Sequence, residues 1–205
     1  MTSATVLSGG ALERPDAAAG QAVATGLWMF MGVATVLFSL FLMAYVMRMD
    51  GAEGYPIAMP WQLWLSTGLL TAGSVMMQRA SVAAQAMRWS RARTLLLAGG
   101  ACALAFLGVQ LWAWQVLHAL HVVPAGNAAA SFFYLLTALH GLHVAGGLVA
   151  WAVTARGLLR HATRSVWRMA LCARYWHFLL AVWAVLFATL GWLTPEVVRL
   201  ICGTG

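Results

Sequence analysis

Apolar residues fill long stretches of the chain, and short polar segments separate these stretches. Each stretch is about 20 residues or longer, the length that an α-helix needs to cross the hydrocarbon core of a bilayer. None reads as the alternating segments of about ten residues that are typical of a membrane β-barrel. The pattern predicts an all-α integral membrane bundle of five transmembrane helices, near 24–47, 61–79, 94–120, 128–156 and 172–194.

Composition supports a membrane protein and excludes a water-soluble one. Of the 205 residues, 62% are hydrophobic and 8% are charged, too few polar groups to cover a surface in water. Residues 24–200 are predicted to form one bundle. Residues 1–23 are rich in Ala, Gly and Ser, include Pro15, and are predicted to be a disordered cytoplasmic tail rather than a signal peptide.

The positive charge indicates topology and not nucleic acid as a partner. The formal net charge is +7, but the chain has no lysine, and most of its arginines fall in two predicted loops. The first loop holds Arg79, Arg88, Arg91 and Arg93, and the second holds Arg156, Arg160, Arg164, Arg168 and Arg174. Loops rich in Arg stay in the cytoplasm, so we expect a cytoplasmic N-terminus and a periplasmic C-terminus.

Acidic residues are absent from the predicted helices. Glu13, Asp16, Asp50, Glu53 and Glu196 all lie outside them, so no carboxylate is available at membrane depth to relay protons. This argues against a proton-coupled transporter acting alone. A general base inside the bilayer would have to be a histidine.

Three histidines fall well inside the predicted spans, whereas His118 and His121 close helix 3 at the outer surface. His140 and His143 are three apart and share one face of helix 4, with the small residue Gly141 between them, and His177 lies on helix 5. Such residues mark either interhelical hydrogen bonds or a functional site. One hypothesis is bonding to carbonyls, hydroxyls or lipid headgroups. The other is a lone membrane cytochrome b, with haem held by His177 and by His143 or His140.

Two segments on the last two helices resemble a known family. The first reads SFFY at 131–134, followed by LHGLHV at 139–144. The second reads YWHF at 175–178, followed by Val182 and Trp183. They are similar, in sequence and order, to the STFF…HGLHV and YWHFxDxxW stretches of subunit III of the haem-copper respiratory oxidases. The length of the chain resembles that of the family's five-helix members.

The resemblance implies a non-catalytic subunit of a cytochrome c or quinol oxidase. Such a subunit holds no redox metal, packs against the catalytic subunit I that carries haem and copper, and binds phospholipid between its helices. It implies structural or lipid-binding roles for His140, Gly141, His143, Trp176, His177 and Trp183, and no catalytic or metal-binding residue. Short loops and the use of Arg in place of Lys favour the inner membrane of a bacterium.

The chain departs from the family at three acidic positions. The family's carboxylates fall on or near Ala34, on Ala113 and on Leu180, so the histidines need other partners here. An alternative within the same architecture is the oxidase-III-like accessory subunit of a nitric oxide reductase. The electron donor is left open.

Overall fold

The computed structural model of the chain describes residues 15–49, 61–120, 128–160 and 166–192. Within these ranges the regular structure is entirely helical, which confirms the predicted all-α class. The helices are α1 (Pro15–Met49), α2 (Gln62–Gln85), α3 (Trp89–Ala119), α4 (Ala128–Arg160) and α5 (Val166–Trp192). The predicted periplasmic end of the chain lies outside the described residues.

Helix α1 begins at Pro15 and not near residue 24, so part of the predicted disordered tail is helical. The local sequence explains the earlier start. Proline suits the first position of a helix because its fixed φ is already helical, and an acidic residue such as Asp16 is favourable in the first turn. The alanines at 17–19 are the strongest helix formers. Residues 1–14 lie outside the described part of the chain.

A tight turn replaces the long arginine-rich loop that was expected between α2 and α3. The amide of Met87 donates to the carbonyl of Ala84 at 3.0 Å, and the amide of Arg88 donates to that of Ala83 at 2.9 Å. This pairing is the Schellman motif, which usually places glycine at its left-handed position. Met87 occupies that position here, with φ of 58°.

The arginines assigned to loops lie mostly at helix ends. Arg79 belongs to α2, Arg88 precedes the first residue of α3, and Arg91 and Arg93 lie in the first turns of α3. Arg156 and Arg160 lie in the last turns of α4, and Arg168 and Arg174 lie in α5. Arginine is a good helix former whose long side chain reaches the membrane surface, so the helices continue past their apolar cores. Arg164 lies outside the described residues.

Small residues bring neighbouring helices into close contact. A Cβ atom on Gly73 would lie 3.3 Å from the carbonyl oxygen of Gly99, so α2 and α3 pack backbone to backbone. The indole of Trp151 on α4 lies against Gly100 of α3, and its Nε1 donates to the carbonyl of Leu96 at 2.8 Å. These contacts hold α2, α3 and α4 close together.

Helix α1 lies at the periphery, against α4 and α5. Its buried residues include Met31, Ala34 and Phe38, one turn apart on a single face. The remaining surface of α1 is exposed and carries large apolar side chains such as Met29, of which 70% is exposed. Such a surface fits contact with lipid.

Four of the described helices are long and apolar enough to cross a membrane: α1, α3, α4 and α5. Helix α2 is not among these four, because its sequence includes several Ser, Thr and Gln residues. The expectation of five transmembrane helices therefore rests on sequence for α2. It packs against α3 and α5.

Candidate functional site

His140 lies at the centre of the bundle and is fully buried. Its ring is 5.1 Å from that of Trp183 on α5, 5.8 Å from Phe106 on α3 and 6.4 Å from Phe38 on α1, centroid to centroid. Neither ring nitrogen has a hydrogen-bond partner among the described residues. His140 thus joins four helices through aromatic packing, and not through the hydrogen bonds that were expected.

Gln110 is a second buried polar residue near this centre. It lies one helical turn from Phe106 and one turn from Trp114, whose Nε1 donates to the Thr137 hydroxyl of α4 at 3.2 Å. Its side-chain amide also has no partner among the described residues. Ala113, where the family resemblance places a carboxylate, is completely buried on the same helix. A carboxylate there would have to be accommodated inside the bundle.

His143 lies between α4 and α1. Its Nδ1 lies 2.8 Å from the carbonyl oxygen of Leu139, which can only accept, so Nδ1 carries the proton. The ring packs on Phe30 and Phe38 at centroid distances of 5.6 and 5.3 Å. The hydroxyl of Tyr175 donates to the His143 carbonyl at 3.0 Å and ties α5 to this turn of α4.

His177 lies against α2 and not against the α4 histidines. Its Nδ1 is 2.7 Å from the hydroxyl of Ser74, and its Nε2 is 3.3 Å from Oε1 of Gln78. His177 therefore joins α5 to α2 and not to α4. Ser74 and Gln78 are one turn apart on α2, so both reach the same imidazole. The side chain of His177 remains exposed on the outer surface of the bundle.

The remaining predicted site residues serve packing. Trp183 is buried, and its Nε1 donates to the Thr67 hydroxyl at 2.9 Å, which links α5 to α2. Trp176 is completely buried. Gly141 faces α3, where an added Cβ would meet Leu107 at 3.9 Å.

The haem hypothesis needs His143 or His140 to face His177 across a common space. His143 lies against α1 and His177 against α2, and His140 is enclosed by aromatic rings. Both nitrogens of His177 already have partners. Among the described residues, no group of three or more His, Cys, Asp or Glu side chains could hold a metal ion. The arrangement of these residues does not fit a haem.

The arginines gather at one end of the bundle. Arg88, Arg91 and Arg93 lie where α3 begins, and Arg160 lies where α4 ends. Because successive helices run in opposite directions, these termini meet on the same side. All four side chains are exposed. The expected orientation of the chain rests on this arginine-rich end.

An open groove of about 480 Å³ runs between α1, α4 and α5. Its walls are mainly apolar: Val23, Leu27, Phe30, Gly146, Ala150, Val153, Thr154, Trp167, Arg168, Leu171, Cys172 and Tyr175. The hydroxyls of Thr154 and Tyr175 are bonded to carbonyls within the protein, so they present little polarity to the groove. Arg168 carries a charge at one end, with its guanidinium 5.2 Å from the Trp167 ring centroid.

The shape of this groove was not evident from the sequence, because its walls come from three helices. Arg168, in contrast, was evident from the sequence as part of a basic segment. An apolar slot ending in a cation suits an amphiphile with an acyl chain and a negatively charged headgroup.

The chain is similar over most of its length to subunits of respiratory oxidases. It is 29% identical to cytochrome c oxidase subunit 3 of Bacillus sp. (strain PS3), across 85% of this chain and 87% of the relative. It is 29% identical to cytochrome c oxidase subunit 3 of Bacillus subtilis, across 79% and 82%. It is 28% identical to cytochrome bo(3) ubiquinol oxidase subunit 3 of Pseudomonas aeruginosa, across 79% and 80%.

No family model matches the chain. The full-length similarities nevertheless agree with the two motifs on α4 and α5, and the relatives share one subunit name across two kinds of oxidase. These findings confirm the resemblance drawn from the sequence: over most of its length, the chain is similar to subunit III of the respiratory oxidases.

Proposed function

We propose that this chain is a non-catalytic, accessory subunit of a haem-copper terminal oxidase in the plasma membrane of a bacterium. The observation that carries the proposal is the similarity over most of the chain to oxidase subunit 3 proteins. The site geometry agrees with it, because the intramembrane histidines are engaged in packing and hydrogen bonds. Haem and copper would reside in the catalytic subunit I, on which this chain packs.

The proposed topology has five membrane-crossing helices, a cytoplasmic N-terminus and a periplasmic C-terminus. Arginines at one end of the bundle support this orientation through the preference of basic residues for the cytoplasm. Helix α2 is less apolar than the others, but it is flanked by α3 and α5, which reduces its contact with lipid. This packing supports a position of α2 at the same depth as its neighbours.

Relatives with either cytochrome c or ubiquinol in their names match this chain to a similar degree. The proposal therefore covers the class of terminal oxidase and not the electron donor. A donor site belongs to other subunits of the complex in this account.

The test is purification of the complex through a tag on this chain in mild detergent. We expect a larger subunit I-like protein to co-purify, with haem absorbance and oxygen consumption. Consumption of nitric oxide instead of oxygen would favour the accessory subunit of a nitric oxide reductase. A colourless chain purified alone under conditions that keep related oxidases intact would contradict the proposal.

We assign the bound phospholipid to the groove between α1, α4 and α5. Apolar walls fit an acyl chain, and Arg168 lies at the end where a phosphate would sit. This location differs from the one expected from the histidine motifs. His140 is buried in the core and away from any lipid surface.

Native mass spectrometry of the purified complex tests the groove. A Cβ on Gly146 would meet no atom within 4 Å, so Gly146→Leu should fill the groove without disturbing the helix. We expect this variant to lose a phospholipid that the parent retains. The matched Gly108→Leu variant on α3, also in open space, should keep it. Equal retention by both variants would rule out the groove as the lipid site.

A further inference from the structure

One surface of the bundle combines small and polar side chains where helices α2 and α5 meet. Thr71, Val75 and Gln78 are exposed on α2, and His177, Ala181 and Ala184 are exposed on α5. We call these six residues the α2/α5 face. The bonds from His177 to Ser74 and Gln78 join its two halves.

The polar centre of this face lies at membrane depth. His177 lies near the middle of α5, far from both ends of the helix. An ionisable side chain within a membrane helix almost always faces protein or water, because exposure to hydrocarbon is costly. On the isolated chain, however, His177 and Gln78 face outward. A polar partner outside the chain would remove this cost.

The hydrogen bonds indicate what kind of group that partner presents. Oxygen Oε1 of Gln78 can only accept, so Nε2 of His177 donates to it and Nδ1 accepts from the Ser74 hydroxyl. The amide NH₂ of Gln78 is then left with two donors and no partner among the described residues. The face therefore offers N–H donors and needs an oxygen acceptor.

The shape of the face suits a helix and not a headgroup. Ala181 and Ala184 have small side chains on the outer surface of α5, and Gly68 on α2 has no atom within 4 Å of an added Cβ. Small residues at an outer surface allow another helix to approach closely. Helix α2 is also the one described helix that is not apolar enough to qualify as a membrane span. Cover by protein would explain both features.

We propose that the α2/α5 face docks a transmembrane helix of the catalytic subunit, and that this helix presents a side-chain oxygen acceptor to Gln78. The inference rests on the proposed function, since it assumes a haem-copper partner. It goes further by assigning the docking surface and the polarity of the partner group. The outer face of α1 is assigned to lipid.

Photocrosslinking within the intact complex tests the assignment. A photoreactive benzoylphenylalanine in place of Thr71 should give an adduct with the catalytic subunit. The same replacement of Val36, exposed on the outer face of α1, should give none. Adducts from position 36 and not from 71 would overturn the inference, as would adducts between two copies of this chain. Lack of any protein adduct from position 71 in an intact complex would assign the face to lipid and also overturn it.

Substitutions on the same face give a second readout. Gln78→Leu keeps the volume and removes the free donors together with the acceptor of His177 Nε2. Co-purified catalytic subunit should therefore fall by roughly threefold or more, as expected for a lost interhelical hydrogen bond. The matched control is Gln85→Leu, on an exposed glutamine at the end of α2. Ala181→Trp should block close approach and cause a larger loss, whereas Leu40→Trp on α1 should not.

The outcomes separate this inference from the function on which it rests. A haem-containing complex that co-purifies with the parent chain supports the function, and its behaviour with position 71 and position 36 then decides the docking face. If the parent chain brings down no haem protein, the proposed function fails and the inference fails with it. Retention of the complex by both Gln78→Leu and Ala181→Trp would refute the docking face alone.

Discussion

The outer face of α1 and the α2/α5 face lie on the same small bundle, yet their side chains differ in size and polarity. The exposed residues of α1 include many large apolar side chains, such as Met29, Val33 and Leu40, with a few small or hydroxyl residues between them and no exposed histidine. Those of the α2/α5 face include Thr71, Gln78 and His177. Lipid tails solvate the first set well and the second set poorly. This difference in size and polarity is the basis for assigning the first surface to lipid and the second to a protein partner.

Reversing the charge at the arginine-rich end should have the largest effect. Both faces depend on correct insertion of the helices into the membrane. Changing Arg88, Arg91 and Arg93 to Glu should move the turn between α2 and α3 to the opposite side or prevent insertion. Reporter fusions to that turn measure its side. The matched change of all three to Lys keeps the charge and should keep the topology. An unaltered topology in the Glu variant would invalidate the proposed orientation.

Gly100→Val should have the next largest effect, by disturbing the core that holds both faces in place. A Cβ at Gly100 would overlap the Trp151 indole, which donates to the Leu96 carbonyl. Overpacking of this kind costs about 1–3 kcal/mol of unfolding free energy. Thermal unfolding in detergent measures the loss.

Gly108→Val on the same helix is the control for that variant, since an added Cβ there meets no atom within 4 Å. It should unfold close to the parent temperature. Equal destabilisation of the two variants would mean that helix propensity, and not contact with Trp151, sets the effect.

A smaller change in unfolding free energy is expected when a tryptophan that joins helices is replaced, and none when a tryptophan on the outer face of α1 is replaced. Trp183→Phe removes the N–H that donates to Thr67 and keeps the aromatic contact with His140. Loss of an interhelical hydrogen bond in a membrane protein costs roughly 0.6 kcal/mol on average, so unfolding should be slightly easier. Trp28→Phe, on a side chain that is 60% exposed, should leave the unfolding free energy unchanged. The reverse order would contradict the interpretation of both residues.

Hydrophobicity was sufficient to predict the helices, but not where they end. Apolar stretches identify the membrane-buried part of each helix, and the structure continues them through Arg156, Arg160 and Arg168. Arginine is compatible with both a helix end and a loop, so composition alone could not decide. The turn at Met87 lacks the glycine that would have revealed it.

The candidate site was predicted in part. Spacing placed His140 and His143 on one face of α4, and the structure places both near Phe38. The spacing could not identify the partners of His177, which lie about a hundred residues earlier in the chain, on α2. A signal was present, since Ser74 and Gln78 are spaced one turn apart on a helix with unusual polarity. The groove required the three-dimensional arrangement of α1, α4 and α5.

A structure of the purified complex, determined by electron cryo-microscopy, would reveal what covers each face. We expect a helix of the haem-copper subunit against the α2/α5 face, with an oxygen atom within hydrogen-bonding distance of the Gln78 amide. We also expect lipid against the outer face of α1. A complex in which α1 meets the catalytic subunit and the α2/α5 face meets lipid would contradict both expectations.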